Sequence, residues 1–515
     1  MIDTNMLNQL KEVFKRLENT VELVYDQCDN SKQEELVDML SAVAKTSEKI
    51  NVRQSDQISQ TPRFRLRANG AFNGVIFSGI PGGHEFSSLV LAILNSDKKG
   101  KLPDESIIGR IQRLKGPIRL RTFISLSCEN CPEVVQTLNL MAIFHPDFQH
   151  EMVDGAFSRD EVESLNIQSV PSVVQSDGRL LSAGKTGLGE LLSKLEDEFG
   201  SSQSETQTLG DYDVVVVGGG PAGASAAIYS ARKGLKTAII AEKIGGQVQD
   251  TKGIENLISV TYTEGPQLSA QLAKHIAEYD IQVLEHRRVK NVVNDTLKTV
   301  DLDSGERLNT KALIVTTGAK WRELGVPGEK EYIGRGVAYC PHCDGPMYKG
   351  KNVAVVGGGN SGVEAAIDLS GIVNSVTLLE FGPELKADQV LVEKAKSIKN
   401  ISIITNAKST QILGDEDKVV GLEYEDLANK QINNIEVDGV FVQIGLAPNS
   451  GVVRDIVETN RFGEIETDEK CKTSVEGIYA AGDVTTTPYK QIIIAMGEGA
   501  KAALAAFEDL TMVNA

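Results

Sequence analysis

Residues Cys340 to Gly362 read C-P-H-C-D-G-P-M-Y-K-G-K-N-V-A-V-V-G-G-G-N-S-G. The first four place Cys340 and Cys343 at C-x-x-C spacing, close enough to form a disulfide across the start of a helix. An apolar strand then enters Gly357-x-Gly359-x-x-Gly362, a glycine turn of the kind that cradles the phosphates of a dinucleotide. The stretch therefore predicts a dithiol next to a dinucleotide site.

A second glycine turn lies earlier in the chain, where the apolar strand 213–217 enters Gly218-x-Gly220-x-x-Gly223. A lone turn of this kind is weak evidence. Here a helix of small residues and a second strand follow it, and that strand ends on Glu242, whose carboxylate can accept hydrogen bonds from an adenosine ribose. Two such turns provide for two dinucleotides, as an electron relay from a pyridine nucleotide through a flavin to a disulfide requires.

The unit that follows Cys343 repeats this order, with strand 353–356, the glycine turn, helix 363–370 and strand 375–379. This second strand ends on Glu380, which would bind a free ribose 2'-hydroxyl and repel a 2'-phosphate. No arginine follows it closely, and the nearest cation is Lys386. We therefore predict NADH rather than NADPH as the substrate of this unit.

Three further segments are typical of flavoproteins. Residues 310–318 close the first unit as a strand running into a glycine turn, and residues 438–445 do the same in the second. Residues 477–483 predict a strand ending in Gly482-Asp483, where the carboxylate can hold the flavin ribityl chain. The helix from about Gln491 can direct its N-terminal dipole at the flavin pyrimidine. Because the Gly318 turn and the Gly482-Asp483 strand lie on either side of the second unit, we expect the nucleotide domain to be inserted into the flavin domain.

The first two hundred residues contain one order of helices and strands twice, from residue 2 to 94 and from residue 107 to 199. The copies also match at a thiol site, because Cys28-Asp-Asn-Ser31 follows its strand where Cys128-Glu-Asn-Cys131 follows its own. We expect two stacked copies of one domain, the first of which has lost its second sulfur.

The bulk composition limits the classes of function. A chain of 515 residues predicts several domains. A net charge of -18 disfavours nucleic acid and acidic membrane surfaces, so we expect neither as a partner. No apolar run approaches the about 20 residues that cross a bilayer, and the first residues lack a secretory pattern, so we expect a cytoplasmic location. In the reducing cytoplasm, two C-x-x-C pairs are typical of redox or metal chemistry.

A strand, a C-x-x-C at a helix start and a later X-Pro before a strand resemble the thioredoxin fold. The resemblance implies a cis bond at Val170–Pro171, and Thr61–Pro62 holds the same position in the first copy. Residues 211–515 resemble the low-molecular-weight thioredoxin reductase family. With the tandem repeat in front of them, the whole chain is similar to the flavoprotein subunits of bacterial alkyl hydroperoxide reductases, which are NADH-dependent peroxiredoxin reductases.

This resemblance implies an α/β fold with two Rossmann-like dinucleotide-binding domains, one for FAD and an inserted one for NAD, preceded by a tandem thioredoxin-like repeat. The expected boundaries are 1–100 for the first repeat, 101–196 for the second, 197–210 for a flexible linker, 211–328 and 446–515 for the FAD domain, and 329–445 for the inserted NAD and disulfide domain.

The resemblance also implies roles for individual residues. Cys343 would take electrons from the flavin, Cys340 would be the interchange thiol and Asp344 would manage the thiol protons. Cys128 and Cys131 would accept electrons from that pair. The residues that would hold FAD are Gly218, Gly220, Pro221, Ala222, Gly223, Glu242, Gly246, Gln247, Asn256, Gly318, Gly482, Asp483 and Gln491. Those that would hold NADH are Gly357, Gly359, Asn360, Ser361, Gly362 and Glu380.

The implied partner is a two-cysteine peroxiredoxin that reduces alkyl hydroperoxides and hydrogen peroxide, and the implied assembly is a homodimer. Two other hypotheses stay open. A thioredoxin reductase fused to its own thioredoxin-like module would act on general protein disulfides. An NADH oxidase or redox-sensing protein would use the N-terminal module only for docking.

Several residues allow a simpler interpretation. The paired cysteines could bind zinc, although no partnering knuckle lies near either pair. Cys28 is interpreted as a relic of a lost thiol site, and Cys471 as a packed or surface residue. His342 could tune the neighbouring thiols or only fill space. Glu85 could start a helix, the interpretation we favour, or could face the Cys128 pair.

Overall fold

The computed structural model describes residues 4–165, 167, 170–202, 206–251, 253–333, 335–339, 341–415 and 418–512, with the backbone alone at Thr4, His342 and Cys343. The chain divides into two compact units. The first comprises residues 1–207 with 286–288 and 302–306, and the second comprises 208–285, 289–301 and 307–515. Among the described residues, no helix combines the length and the apolar character needed to cross a bilayer.

The described part of the N-terminal unit alternates helices and strands in the order expected of a repeat. Its elements are α1 (Thr4–Phe14), β1 (Val21–Gln27), α2 (Gln33–Ala44), β2 (Ile50–Ile58), β3 (Arg63–Ala68), β4 (Ala71–Ser78), α3 (Phe86–Ser96), α4 (Glu105–Gln112), β5 (Ile118–Ile124), α5 (Cys131–Phe144), β6 (Phe148–Asp154), α6 (Arg159–Ser164), β7 (Ser172–Gln175), β8 (Leu180–Ala183) and α7 (Leu188–Phe199).

These strands form one sheet in the order β2-β1-β3-β4-β6-β5-β7-β8. Each half has the same internal pattern, since its first strand pairs in parallel with its second and antiparallel with its third. Parallel pairing of β4 with β6, with Val75 opposite His150, joins the halves edge to edge. The duplication is therefore visible in the topology, but the expected stacking of two separate copies is wrong, because the copies share a single sheet.

A large hydrophobic core lies between this sheet and its helices, and it holds the thiol-bearing helix in place. In α5, the side chains of Val134, Leu138 and Met141 recur at helical spacing, and each is fully buried. Burial of such side chains contributes roughly 1.5 to 3 kcal/mol apiece. The first residue of α5, Cys131, belongs to the same core. The hydrophobic pattern thus fixes the helix that begins at the C-x-x-C motif.

The rest of the chain builds the second unit. Its elements are β9 (Gln207–Val217), α8 (Pro221–Arg232), β10 (Thr237–Ile240), α9 (Gly265–Ala277), β11 (Ile281–Leu284), β12 (Val289–Val293), β13 (Lys298–Leu302), β14 (Glu306–Val315), β15 (Ala319–Trp321), β16 (Val337–Ala338), α10 (Pro341–Asp344), β17 (Asn352–Val356), α11 (Asn360–Ser370), β18 (Ser375–Leu379), α12 (Gln389–Ser397), β19 (Ile401–Ile404), β20 (Ala407–Gly414), β21 (Val419–Asp426), β22 (Gln431–Glu436), β23 (Gly439–Val442), β24 (Leu446–Pro448), β25 (Ile478–Ala480) and α13 (Ile492–Met512).

Two of its sheets carry the glycine turns. One has the order β11-β10-β9-β14-β13-β12, with β25 paired to β14, and the other has the order β16-β23-β17-β18-β19. The chain leaves the first sheet after β14, builds the second, and returns through β25, which lies parallel to β14. Strands β15 and β24 pair antiparallel where the chain passes between the two sheets. The α/β class with two dinucleotide-binding sheets is confirmed.

The connection between α7 and β9 is shorter than the linker predicted at 197–210. Helix α7 continues to Phe199 and is followed by Gly200 at φ +79°, a left-handed backbone conformation that commonly ends helices. Strand β9 already begins at Gln207. Residues 203–205 of the predicted linker lie outside the described part of the chain.

Candidate functional site

The first thiol pair lies where β5 ends and α5 begins. Cys128 and Cys131 form a disulfide with their Cα atoms 5.5 Å apart. The Cys131 side chain is fully buried, whereas Cys128 is half-buried. The backbone N–H of Cys131 donates to Cys128 Sγ at 3.1 Å. Because this donor stabilises negative charge on the sulfur, the arrangement favours Cys128 as the thiolate when the bond is reduced.

A proline segment lies against this disulfide, since Cys128 Sγ is 3.8 Å from the carbonyl oxygen of Val170. The Val170–Pro171 bond is cis, as predicted. The described part of the chain also contains a cis bond at Gly116–Pro117, which the sequence analysis did not predict. The bond at Thr61–Pro62 is trans, so the weaker expectation for the first copy is wrong.

Glu85 is a buried carboxyl group beside the loop that carries Cys128. It ends a short 3-10 turn directly before α3, so the preferred interpretation as a helix start is correct in position. Its side chain is nevertheless 0% exposed, and the neighbouring His84 N–H donates to the Leu126 carbonyl at 3.5 Å. The same turn packs on α5. Glu85 is therefore at once a helix start and a neighbour of the thiol site.

The electrostatics of Glu85 are unusual. Among the described residues, neither of its carboxyl oxygens accepts a hydrogen bond. Burial raises the pKa of Glu85 from 4.5 to about 7, and the nearby Ser88 hydroxyl, which makes no well-formed hydrogen bond to it, offsets only part of this effect. A carboxyl group with such a pKa can take up or release a proton near neutral pH. The local sequence G-G-H-E gives no sign of this burial, which arises from packing between the two copies.

A groove of about 600 Å³ opens next to the same disulfide. Apolar side chains of β5 and α6 line much of it, together with Ser127 and Val170, which flank Cys128 and Pro171. Asp154 lies at the groove, and burial raises its pKa. The half-buried sulfur of Cys128 therefore adjoins a surface that can accommodate part of another molecule.

The two cysteines outside the C-x-x-C motifs differ in environment. Cys28 is half-buried in the first copy, and its sulfur accepts the Asn30 N–H at 3.4 Å. Cys471 is buried in the second unit, where burial first, and then the charge of Glu498, raise its pKa to about 11. A thiol with that pKa stays protonated near neutral pH and is a poor nucleophile.

The second C-x-x-C motif falls mostly outside the described residues. Cys340 lies outside them, and Cys343 is described by the backbone of the short helix α10 alone. The pairing of these two cysteines, and the role of His342, therefore stay predictions. Asp344 is the last residue of α10. The burial of Tyr348, together with the negative charge of Asp344, raises the pKa of Tyr348 to about 12. The acid predicted to manage the thiol protons thus lies close to a buried phenol.

The first glycine turn has the shape that a dinucleotide needs. Gly218 has φ +117°, and a Cβ there would lie 2.2 Å from the carbonyl oxygen of Thr316. A Cβ on Gly223 would lie 1.8 Å from the carbonyl oxygen of Gly218. Gly220, in contrast, has nothing within 4 Å of its Cβ position and precedes α8, which begins with Pro221 and Ala222. The turn leaves open space at a helix N-terminus, where a pyrophosphate is stabilised.

The second glycine turn repeats this geometry. Gly357 has φ +125°, and a Cβ there would lie 2.3 Å from the carbonyl oxygen of Gln443. A Cβ on Gly362 would lie 1.8 Å from the carbonyl oxygen of Gly357, and Gly359 again faces open space. Helix α11 begins directly after Gly359. Both predicted dinucleotide turns therefore fit the group assigned to them.

The predicted flavin residues converge from distant parts of the second unit. Asn256 donates to the side-chain oxygen of Gln491 at 3.0 Å, and Gln247 donates to the Ala319 carbonyl, next to Gly318. The Cβ position of Gly246 is 3.1 Å from the Cα of Gly220. Glu242 is exposed at the end of β10.

The strand end at Gly482 and Asp483 is held by a residue that the sequence analysis missed. Glu498 of α13 is buried and accepts the Gly482 N–H at 2.8 Å and the Thr487 hydroxyl. Burial raises the pKa of the neighbouring Asp483. No local pattern identifies Glu498, because its role depends on the packing of α13 against the strand end.

Glu380 has more partners than the sequence suggests. Its side chain is buried, and its two oxygens accept the backbone N–H groups of Gly358 at 2.7 Å and Gly382 at 2.8 Å. Asn360 likewise exchanges two hydrogen bonds with Asp388, at 2.9 and 2.8 Å. Both predicted NADH residues therefore fasten the loop 380–388 to the glycine turn. Ser361 is exposed at the start of α11.

In the part of the chain that the structure describes, no cluster of three or more His, Cys, Asp or Glu side chains has the arrangement of a metal site. The described residues contain two glycine turns suited to dinucleotides and the Cys128–Cys131 disulfide. Residues 212–499 match the pyridine nucleotide-disulphide oxidoreductase family. The class of the protein is therefore that of a flavin-dependent disulfide oxidoreductase, with FAD and NADH as its cofactors.

Comparison over the full length narrows this class. The chain is 48% identical over 519 residues to the F subunit of alkyl hydroperoxide reductase from Pseudomonas putida, a match that covers 100% of both chains. It is 47% identical over 510 residues to a protein of Ferdinandcohnia aciditolerans named NADH dehydrogenase, covering 99% of this chain and 97% of that one. The chain belongs to the family of the alkyl hydroperoxide reductase F subunits, which confirms the resemblance drawn from the sequence.

Solved structures also resemble part of the chain. Thioredoxin reductase from Streptococcus pyogenes covers 59% of this chain and 99% of its own, with 34% identity and a TM-score of 0.55.

Proposed function

We propose that the protein is an NADH-dependent flavoprotein reductase of a two-cysteine peroxiredoxin. Electrons pass from the Cys340 and Cys343 pair to the Cys128 and Cys131 pair, and then to the peroxiredoxin disulfide, so that the partner can reduce alkyl hydroperoxides and hydrogen peroxide. The observation that carries the proposal is the half-buried Cys128–Cys131 disulfide at the edge of an open groove. The name of the Pseudomonas putida relative supports this partner.

The difference in burial between the two sulfurs of the outer thiol pair, Cys128 and Cys131, supports a separate step for each. Cys128, the more accessible sulfur, attacks the partner disulfide, and the buried Cys131 then attacks the mixed disulfide and releases the reduced partner. The pair loses two electrons and two protons and closes again as a disulfide. Glu85, whose pKa burial raises to about 7, belongs to a turn that packs on α5, and we propose that it accepts one of these protons.

Bound FAD supplies the two-electron chemistry that links NADH to a disulfide. The chain's own residues hold it in position, through the open turn at Gly220, the Asn256–Gln491 pair and the strand end at Asp483. The turn at Gly359 and the buried Glu380 would hold NADH. A 2'-phosphate next to the Glu380 carboxylate would be repelled, which favours NADH over NADPH.

A Cys128→Ser variant tests the proposal. We expect it to lose NADH-dependent reduction of the peroxiredoxin while NADH oxidation with an artificial electron acceptor is retained. Cys28→Ser is the matched control, because it removes the thiol at the corresponding place in the first copy, and it should retain both activities. Peroxiredoxin turnover at the wild-type rate in Cys128→Ser would contradict the proposal.

A thioredoxin reductase with a fused thioredoxin-like module remains the second candidate, because a solved thioredoxin reductase matches 59% of the chain. It predicts rapid reduction of a general disulfide substrate such as insulin. The main proposal predicts a strong preference for the peroxiredoxin. We also propose that the protein is a homodimer and is located in the cytoplasm. Light scattering on the purified protein measures its oligomeric state.

A further inference from the structure

Tyr339 is the residue directly before Cys340, and three neighbours hold it. Its hydroxyl group donates to Glu329 Oε1 at 2.9 Å. Its carbonyl oxygen accepts the side-chain N–H of Gln443 at 2.7 Å. Its ring stacks on Trp321, with the ring centroids 6.4 Å apart and the planes 26° apart. The chain therefore enters the second thiol motif from a fixed position.

Glu329 connects this tyrosine to the segment that follows β15. The Glu329 side chain is only 1% exposed. Besides the Tyr339 hydroxyl, it accepts the N–H of Leu324 at 2.8 Å and the N–H of Gly325 at 2.7 Å. Three donors on one buried carboxylate satisfy its charge and make its position costly to change.

Gln443 connects the same tyrosine to the second glycine turn. It follows β23 and is 5% exposed. Its backbone N–H donates to the Val356 carbonyl at 2.8 Å, and its own carbonyl oxygen lies 2.3 Å from the Cβ position of Gly357. The Gln443 side chain therefore ties Tyr339 to the turn that is predicted to bind NADH.

Trp321 completes the arrangement. It is the last residue of β15 and pairs with Leu446 of β24, in the two-stranded sheet where the chain passes between the two dinucleotide sheets. The residue before Cys340 is thus fastened to the crossing strands through Trp321 and Glu329, and to the nucleotide turn through Gln443. Burial, together with the neighbouring Glu329 charge, raises the pKa of Tyr339, so that its hydroxyl stays a hydrogen-bond donor.

We propose that Glu329 is a positioning residue for the Cys340 and Cys343 pair, acting through Tyr339. The inference rests on the proposed function, since it supposes that this pair receives electrons. Exchange at a disulfide needs the reacting atoms in line and at contact distance. A displacement of about 1 Å can cost on the order of 100-fold in rate. A link that holds Tyr339, the residue before the motif, should therefore affect transfer to these sulfurs more than it affects nucleotide binding.

The test uses the FAD-loaded protein and three variants, Tyr339→Phe, Glu329→Gln and the two combined. Stopped-flow absorbance gives the rate of flavin reduction by NADH. Rapid quenching with an alkylating agent and mass spectrometry gives the rate at which thiols form at Cys340 and Cys343. We expect each variant to slow thiol formation about tenfold and to leave flavin reduction within about twofold of wild type. The combined variant should be no slower than either single one, because both changes break the same link.

Tyr332→Phe is the matched control. Tyr332 is also buried in the second unit and packs in the same hydrophobic cluster as Tyr339, but its hydroxyl donates to the Asp415 carbonyl, at 3.1 Å, rather than to Glu329. This variant should behave as wild type in both rates. Tyr339→Phe keeps the ring and its packing, so it should fold even if the Glu329 variant does not.

Two outcomes would overturn this inference and leave the proposed function unaffected. Unchanged thiol formation in Tyr339→Phe would show that the link is irrelevant, and equal slowing of flavin reduction and thiol formation would show a general folding defect. If wild-type protein forms no thiols at Cys340 and Cys343 on reaction with NADH, the proposed function fails as well. The wild-type measurement therefore separates the two failures.

Discussion

The side-chain nitrogen of Asn256 donates a hydrogen bond of 3.0 Å to the side-chain oxygen of Gln491, across 235 residues of chain. Asn256 lies in a loop before α9, and Gln491 precedes α13, the last described helix. The backbone carbonyl oxygen of Gln491 also accepts the Ala495 N–H at 2.9 Å, which places Gln491 at the start of α13. The pair therefore brings together the two segments of the predicted flavin domain, residues 211–328 and 446–515.

The first prediction concerns this pair. Asn256→Ala should raise the dissociation constant for FAD up to about tenfold, because one hydrogen bond contributes on the order of 1 kcal/mol. Gln491→Ala should do the same, and the double variant should show less than the product of the single effects. Fluorescence titration of the apoprotein with FAD measures this. Asn434→Ala, on the exposed side of β22, is the control, and strictly independent effects would contradict a coupled pair.

The second prediction uses the contrast between two glycines of one turn. Gly359→Ala adds a methyl group with no atom within 4 Å, so the fold should be unaffected while NADH affinity falls at least about tenfold. Gly362→Ala places a carbon 1.8 Å from the Gly357 carbonyl oxygen and should destabilise the second unit by about 1 to 3 kcal/mol. Thermal unfolding and NADH titration separate the two effects. Normal NADH binding by Gly359→Ala would argue against this turn as the NADH site.

The third prediction concerns the loop that Glu380 fastens to the turn. Glu380→Ala leaves the N–H groups of Gly358 and Gly382 without their acceptor, which costs about 1 to 3 kcal/mol for each buried group. NADH affinity should fall about 10- to 100-fold, and NADPH affinity should not improve, because no arginine replaces the lost acid. Glu384→Ala, an exposed change in the same loop, is the control. Steady-state KM values for both nucleotides provide the measurement.

Much of this architecture could be predicted from the sequence because its patterns are strong and local. The apolar strand 375–379 was predicted with the bounds that β18 has. The glycine turns could be located for the same reason, since only glycine avoids the contacts with backbone oxygens at Gly223 and Gly362.

The missed features depend on contacts between distant segments. Strands β2 and β6 were not predicted, because β2 is polar at an edge of the sheet and β6 contains His150. His150 is fully buried and is hydrogen-bonded at 2.7 Å to both Thr122 and Asn139. Burial lowers its pKa to about 3, so it is accommodated as a neutral residue. A polar residue that the tertiary structure satisfies cannot be recognised from hydrophobic alternation.

The last prediction follows from the pKa of Glu85. Burial raises it from 4.5 to about 7, so the folded state binds a proton that the unfolded state has released. This contribution to stability is fully present below pH 4.5 and is lost as the pH rises through 7. Its size is on the order of 3 kcal/mol. Glu85→Gln stays neutral, so the stability of the first unit should no longer decrease over this range of pH.

Hydrogen exchange of peptides from α3 and α5, followed at several urea concentrations between pH 4.5 and 8, measures this difference locally. Glu163→Gln serves as the control, because its exposed carboxylate lines the groove beside Cys128 and should leave the wild-type slope unchanged. At pH 8 we expect Glu85→Gln to be the more stable protein and to reduce the peroxiredoxin more slowly, since it has lost a proton acceptor near the thiol pair. A wild-type stability that is flat from pH 4.5 to 8, or a slope that persists in Glu85→Gln, would show that Glu85 ionises as an ordinary carboxyl group and takes no part in proton transfer.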